Sequence, residues 1–474
     1  MTVIPDAADA FASVTNPWLQ GAFAPVFDER DDHDLEVTGH LPGGLRGSFL
    51  RNGPNALFPP LGGYHLFDGD GMIHGLTFDG DGGASYANRW IRSAGLEAEI
   101  AAGGALFGGL TDFRLPPDDV FATVGPMKNT ANTHVVRHAG RILALMEAAP
   151  PTELTADLAT VGEHRFGGAL QGPMTAHPKV DPRTGEMVFF GTSPFPPHLR
   201  IHGASADGTL TWTTEVDLPG SVMMHDFVIT ETRVVVFDLP AVLDVDAMLT
   251  GGTGIYWAPE RGARIGVLER GAPGSTIRWI EVDPFWVFHF MNAFDDGDAI
   301  EVVGCRSTQL NTSFDGSEVD ADVRPMLYRW RIDPVAGTFT EHQLDDRPTD
   351  FPRINDQRAG RTNRYGYSGH STGWADDEPP FDGVIKHDFS SGTTATHLYG
   401  PDTVCGEAVF TPDPAGAERA DGGDEDRGWL LNFVHDLSTD RSSVVVLDAA
   451  TLEEAARVHL PRRVPFGFHG SFLA

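Results

Sequence analysis

The chain has 474 residues, enough for about three average domains or for one large β-rich unit. With 41% hydrophobic residues, 55 Gly and 34 Pro, it describes a sizeable core cut by many turns and excludes a coiled-coil architecture. The 67 acidic and 34 basic side chains leave a formal net charge of -33, which repels a phosphate backbone and excludes nucleic acid as a partner.

The N-terminal segment Met1-Thr-Val-Ile-Pro-Asp lacks a basic region followed by an apolar run, so no secretory signal is expected. From there onward, short β-branched or aromatic runs recur between turn signals. They are Gly47-Ser-Phe-Leu-Arg, Met187-Val-Phe-Phe, Arg233-Val-Val-Val-Phe, Gly266-Val-Leu, Ala299-Ile-Glu-Val-Val, Trp429-Leu-Leu-Asn-Phe and Ser443-Val-Val-Val-Leu. Turns such as Asp181-Pro-Arg-Thr-Gly, Asp207-Gly, Asp296-Gly-Asp and Asp333-Pro-Val-Ala-Gly punctuate them at hairpin-like intervals. The fold class that follows is all-β: a sandwich array, a barrel or an irregular propeller.

Residues 94–110, rich in small and apolar side chains, predict a weakly amphipathic helical segment that either packs on the strands or presents an apolar patch to a membrane surface. The tract Asp421-Gly-Gly-Asp-Glu-Asp-Arg reads as a solvated loop. No run reaches the about 18 uninterrupted apolar residues of a spanning helix. Two cysteines, Cys305 and Cys405, are too few for a disulfide framework, so a reducing cytoplasm is the expected location.

Four histidines sit in apolar, strand-like contexts: Thr-Ala-His177-Pro, Met-Met-His225-Asp-Phe, Phe-His289-Phe-Met and Phe-Gly-Phe-His469-Gly. A lone histidine on an apolar strand is more often a satisfied core residue than a ligand, but four in such settings point to a metal. Their separations in chain order, 48, 64 and 180 residues, rule out a zinc-finger loop or a single metal-binding helix. Imidazole suits first-row metals such as iron, and four neutral ligands leave a dipositive ion its full charge with two of six octahedral positions open. His65, His74, His134, His138 and His198 lie on turns or alternate with polar residues and are expected in structural or surface roles.

Further stretches carry a resemblance. Arg51-Asn-Gly-Pro-Asn, Phe67-Asp-Gly-Asp-Gly-Met-Ile-His74, Lys128-Asn-Thr-Ala-Asn-Thr, Leu143-Ala-Leu-Met-Glu147, Phe351-Pro-Arg-Ile-Asn and Gly406-Glu407-Ala-Val-Phe-Thr-Pro stand in order around the four histidine segments. Over essentially its whole length the chain resembles the carotenoid cleavage oxygenase family. The resemblance implies a single domain, 1–474, built as a seven-bladed β-propeller with a helical dome over the axial face. One Fe(2+) per chain would be held by His177, His225, His289 and His469, with O2 as co-substrate and an aldehyde or ketone as product.

Matching family positions also imply that Glu147 and Glu407 accept the outer ring N–H of ligand histidines, which fixes tautomer and orientation. At the third such position the family generally carries Glu, whereas this chain has Asp350. The lost methylene shortens the reach by about 1.5 Å, so a water or a shifted loop is expected there.

The stilbene-cleaving branch of the family uses a Tyr and a Lys on the phenol hydroxyl, but Ser93-Ala-Gly-Leu96-Glu offers no tyrosine where that branch would place one. The expected substrate is therefore an apolar polyene, a carotenoid or apocarotenoid. It would be drawn through an entrance near Leu96 to Leu110, touching a membrane surface transiently, and lined by aromatics such as Phe107, Phe113, Trp286 and Phe288. A stilbene dioxygenase, a retinyl-ester isomerase and a non-catalytic apocarotenoid carrier are the alternatives. Neither a dinucleotide fingerprint nor a phosphate loop is present, in keeping with chemistry that needs no flavin or nicotinamide.

Overall fold

A computed structural model describes residues 7–314, 323–372, 381–416 and 425–474. Most of the acidic tract at 421–427 thus lies outside the described residues. The chain divides into two compact units, one of Met1–Leu145, Thr152–Glu163 and Tyr367–Ala474, the other of Met146–Pro151 and His164–Gly366. Both are built from antiparallel strands, and the longest helix among the described residues, Ala94–Ala102, has 9 residues.

In the first unit, five strands pair in the order Arg30–Asp32, Ala84–Trp90, Gly71–Asp79, Arg46–Pro54 and Gly470–Leu473. Side chains of Ala84–Trp90 alternate between buried and half-buried, the period-2 pattern of a strand with one face on a core. The C-terminal strand closes this sheet antiparallel to Arg46–Pro54, with Gly470 opposite Arg51, which anchors the backbone just after His469. A second sheet of the unit centres on Gly428–Asp436 and Arg441–Asp448. A core of Phe49, Leu76, Phe78, Leu431, Val444 and Val446 fills the space among their buried faces.

In the second unit, Lys179–Val180, Met187–Thr192, Leu199–Ala204 and Leu210–Val216 form one four-stranded sheet. Val228–Ile229, Arg233–Asp238, Ala263–Glu269 and Arg278–Val282 form another. Trp286–Asp296, Ala299–Ser307, Met326–Asp333 and Thr338–Arg353 follow as a meander. Phe190, Ile201, Phe227, Val234, Val236 and Leu268 form a shared core between the first two sheets. Burying each such side chain contributes roughly 1.5–3 kcal/mol.

Every strand run named from the sequence lies within an observed strand. Gly185, Gly208, Gly297 and Gly337 all adopt positive φ in the turns foreseen for them, at 70°, 84°, 64° and 67°.

The segment 94–110 takes the first of the two forms expected of it, a helix packed on the strands. Only Ala94–Ala102 is helical, capped by Ser93 Oγ and ended by left-handed Gly103. Its Leu96 is 1% exposed and packs with Val26, Leu57, Met72 and Trp90. The helix therefore buries its apolar face against the strands, because Leu96 and Ile100 fall on one side at i, i+4 spacing. Exposed large apolar side chains come later, at Leu115, Phe121 and Met127.

Candidate metal centre

Three of the four expected ligands are brought together by the second unit. His177 follows the buried run Met174-Thr-Ala, His225 lies in an irregular segment before Val228–Ile229, and His289 is on Trp286–Asp296. His177 Nε2 lies 2.9 Å from His225 Nε2, which in turn is 3.2 Å from His289 Nε2. Thr175 stitches two of these segments: its hydroxyl accepts from His177 N at 3.1 Å and donates to the His225 carbonyl at 3.2 Å.

His289 occurs where the strand's register shifts against Ala299–Ser307, on either side of Phe290. Such a bulge bends a strand and re-aims a side chain. Opposite it stands Gly304, where a Cβ would come within 2.8 Å of the Phe290 ring and 3.2 Å of the His289 carbonyl. The glycine leaves room for the bulge.

Carboxylates hold the outer nitrogens. His289 Nδ1 is 2.9 Å from Asp350 Oδ1, and His225 Nδ1 contacts Glu147 Oε1. Asp350 thus bonds its histidine directly, with no bridging water. Its carboxylate also accepts from Phe351 N at 2.8 Å, and Phe351 adopts φ 52°, a left-handed turn directly after the carboxylate. Burial and the nearby Asp350 carboxylate push the Cys305 thiol well up, so it stays protonated.

In the first unit, His469 Nδ1 lies 3.0 Å from Glu407 Oε1, while Glu407 Oε2 accepts from Gly470 N at 3.0 Å. Both residues are buried. All four histidines are buried and are side chains able to hold a metal ion.

The donor chemistry fits a cation. An imidazole whose Nδ1–H is given to a carboxylate presents a bare lone pair at Nε2. His225 and His289 are both held this way, so their facing Nε2 atoms at 3.2 Å are two acceptors with no proton to share. A positive ion between them removes that repulsion, and imidazole donors suit a first-row metal.

Of the other histidines, His65, His74, His134 and His138 are buried rather than superficial. His65 Nδ1 accepts from Phe67 N, and burial lowers its pKa to about 3. His74 bonds the Tyr86 hydroxyl at 2.7 Å, and His134 Nε2 lies 3.3 Å from the Gly470 carbonyl. His198 Nδ1 is 3.0 Å from the Ser193 carbonyl.

Of the expected lining aromatics, Phe288 meets the His225 ring edge-on at 5.1 Å between centroids and Trp286 packs on Phe288 at 5.1 Å. Phe107 is buried and Phe113 half-buried in the other unit. Lys128 is committed to an internal ion pair, 2.6 Å from Asp70 Oδ1 and 2.7 Å from Glu99 Oε2. That pairing escapes sequence inspection because the three residues are far apart in the chain. Asp226, whose contacts are described below, also went unsuspected, although it directly follows His225.

Comparison with known proteins shows the family to which the chain belongs. Residues 23–474 match the retinal pigment epithelial membrane protein family. A carotenoid 9,10(9',10')-cleavage dioxygenase of Crocus sativus is 37% identical, covering 96% of this chain and 89% of its own. A carotenoid cleavage oxygenase of Mycobacterium tuberculosis is 34% identical over 97% and 98%. Among solved structures, the lignostilbene dioxygenase of Pseudomonas brassicacearum superposes with a TM-score of 0.88 at 28% identity, covering 97% of this chain and 98% of that one. A tryptophan-to-alanine variant of the Synechocystis apocarotenoid oxygenase gives 0.85 at 29% identity, covering 96% and 98%. The all-β fold is that of these oxygenases, and the chain belongs to the retinal pigment epithelial membrane protein family, the family of the carotenoid cleavage oxygenases.

Proposed function

We propose that this protein is an iron(II) dioxygenase that splits a C=C bond of a carotenoid or apocarotenoid with O2, releasing aldehyde or ketone products. The observation that carries the proposal is the approach of His225 and His289 through their Nε2 atoms, 3.2 Å apart, while their Nδ1 atoms face Glu147 and Asp350. His177, His225, His289 and His469 are the proposed ligands. Glu147, Asp350 and Glu407 fix three of them in the tautomer a metal needs. Iron(II) held by neutral imidazoles would supply the activation of dioxygen at a conjugated double bond.

The chain's own residues do the rest. Carboxylates orient the imidazoles, and Phe288 and Trp286 keep the surroundings apolar, which suits a polyene. Names of the curated relatives, carotenoid 9,10-cleavage and 9-cis-epoxycarotenoid dioxygenases among them, support this substrate class. The two carboxylates on Lys128 leave its ammonium already neutralised, which speaks against a phenol-activating role and hence against a stilbene substrate. We further propose the family's seven-bladed propeller and dome for the chain as one domain. A cytoplasmic location with transient apolar contact at a membrane surface accords with two free, buried cysteines and with exposed Leu115, Phe121 and Met127.

Aerobic incubation of iron-loaded protein with a carotenoid, an apocarotenal and a hydroxystilbene, followed by chromatography of the carbonyl products, tests this. Apocarotenals or retinal-like aldehydes are expected, and their masses locate the bond. Aromatic aldehydes alone would move the activity to stilbenes, and bound iron without any product would leave a carrier.

A further inference from the structure

Asp226 adjoins a proposed ligand without being one. Its side chain is 1% exposed, and both oxygens are occupied. Oδ1 lies 2.7 Å from Lys179 Nζ and accepts from Phe227 N at 2.8 Å. Oδ2 accepts from Phe290 N at 2.9 Å. Lys179 stands two residues beyond His177, Asp226 one beyond His225, and Phe290 one beyond His289. A single carboxylate therefore joins the three chain segments that carry the clustered histidines.

The local backbone explains why an acceptor is needed. Register shifts on both sides of Phe290 disturb the ladder where His289 is re-aimed, and a buried N–H without an acceptor is costly. Asp226 Oδ2 supplies the acceptor from a neighbouring segment. The buried carboxylate in turn needs a counter-charge, and Lys179, one of three lysines in a chain otherwise reliant on arginine, provides it at the far side. Lys179 also lies over the Phe227 ring, 5.9 Å from its centroid. A carboxylate so neutralised does not compete with imidazole for a cation.

We propose that Asp226, paired with Lys179, is a positioning residue that sets the separation of His177, His225 and His289 before metal arrives. Resting on the metal centre proposed above, this adds a function to a side chain that touches neither metal nor substrate. Preorganised ligands bind with less reorganisation, so loosening the clamp weakens affinity and alters ligand-field geometry without removing a ligand.

The test uses the full-length metal-free protein titrated with Co(II), with affinity and the visible absorption band of the bound ion as readouts. For Asp226→Asn, which keeps the shape and loses the ion pair, affinity is expected to fall about 10–100-fold and the band to shift. Lys179→Met should do the same, and the two effects should be far from additive because they remove one device. Wild-type affinity and an unchanged band in Asp226→Asn would overturn the inference while the metal centre stood. If Asp226→Asn fails to fold, the double variant Asp226→Asn with Lys179→Met, which leaves no uncompensated charge, carries the same two outcomes. A wild-type protein that binds no Co(II) or Fe(II) would overturn the centre, and this inference with it.

Discussion

Asp350 reaches His289 directly, Oδ1 to Nδ1 at 2.9 Å, although it is one methylene shorter than the glutamate usual at this position in the family. The same carboxylate accepts from the N–H of Phe351, which adopts φ 52°, a left-handed conformation that costs a bulky residue about 1–2 kcal/mol. Asp350→Ala should lower metal affinity about 10–100-fold, measured by competition with a chelator. Unchanged affinity would mean that the carboxylate does not tune His289.

His225→Ala and His289→Ala each remove a proposed ligand from the core of the cluster. Both should leave the purified protein without stoichiometric iron and without turnover, checked by elemental analysis beside the product assay. An alanine variant that kept one iron per chain and cleaved substrate would place the centre elsewhere.

Lys128 is half-buried and bridges the buried Asp70 and Glu99, so removing it would strand two carboxylates in the interior. Lys128→Met should cost about 3–5 kcal/mol of stability, the range for breaking a buried ion pair, read from the urea midpoint. A variant as stable as wild type would show that the pair is solvated.

His202 is 2% exposed, stacks on Phe189 at 4.9 Å and bonds Thr213 Oγ1 at 2.9 Å. Burial, more than the neighbouring Arg200, lowers its pKa to about 4. Between that value and the unperturbed value near 6.5, the unfolded chain binds a proton that the folded one refuses. Its contribution is therefore full above about pH 6.5 and is lost as pH falls towards 4, on the order of 3 kcal/mol in all. Stability of His202→Phe, measured by urea unfolding at pH 7.5 and 5, should fall less on acidification than that of wild type. An equal fall would assign the acid sensitivity to other groups.

Strand runs, turn glycines and the four histidines could be picked out in the sequence, because alternation, β-branched clusters and positive-φ turns are local properties of the chain. Glu147 and Glu407 were marked by motif order alone. The helix Ala94–Ala102 was also visible, but the side it presents was not, since burial of Leu96 depends on Trp90, Met72 and Val26 meeting it in space.

What tertiary structure alone decided are relationships between distant residues. The direct Asp350 bond needed His289 brought beside it from another strand, and the commitment of Lys128 needed Asp70 and Glu99 beside it. The join made by Asp226 required the register shifts around Phe290, whose N–H is given to Asp226 Oδ2. Local patterns determine which residues form strands and carry chemistry. Which carboxylate meets which donor depends on long-range packing, where the cost of leaving a buried polar group unpaired selects the partner.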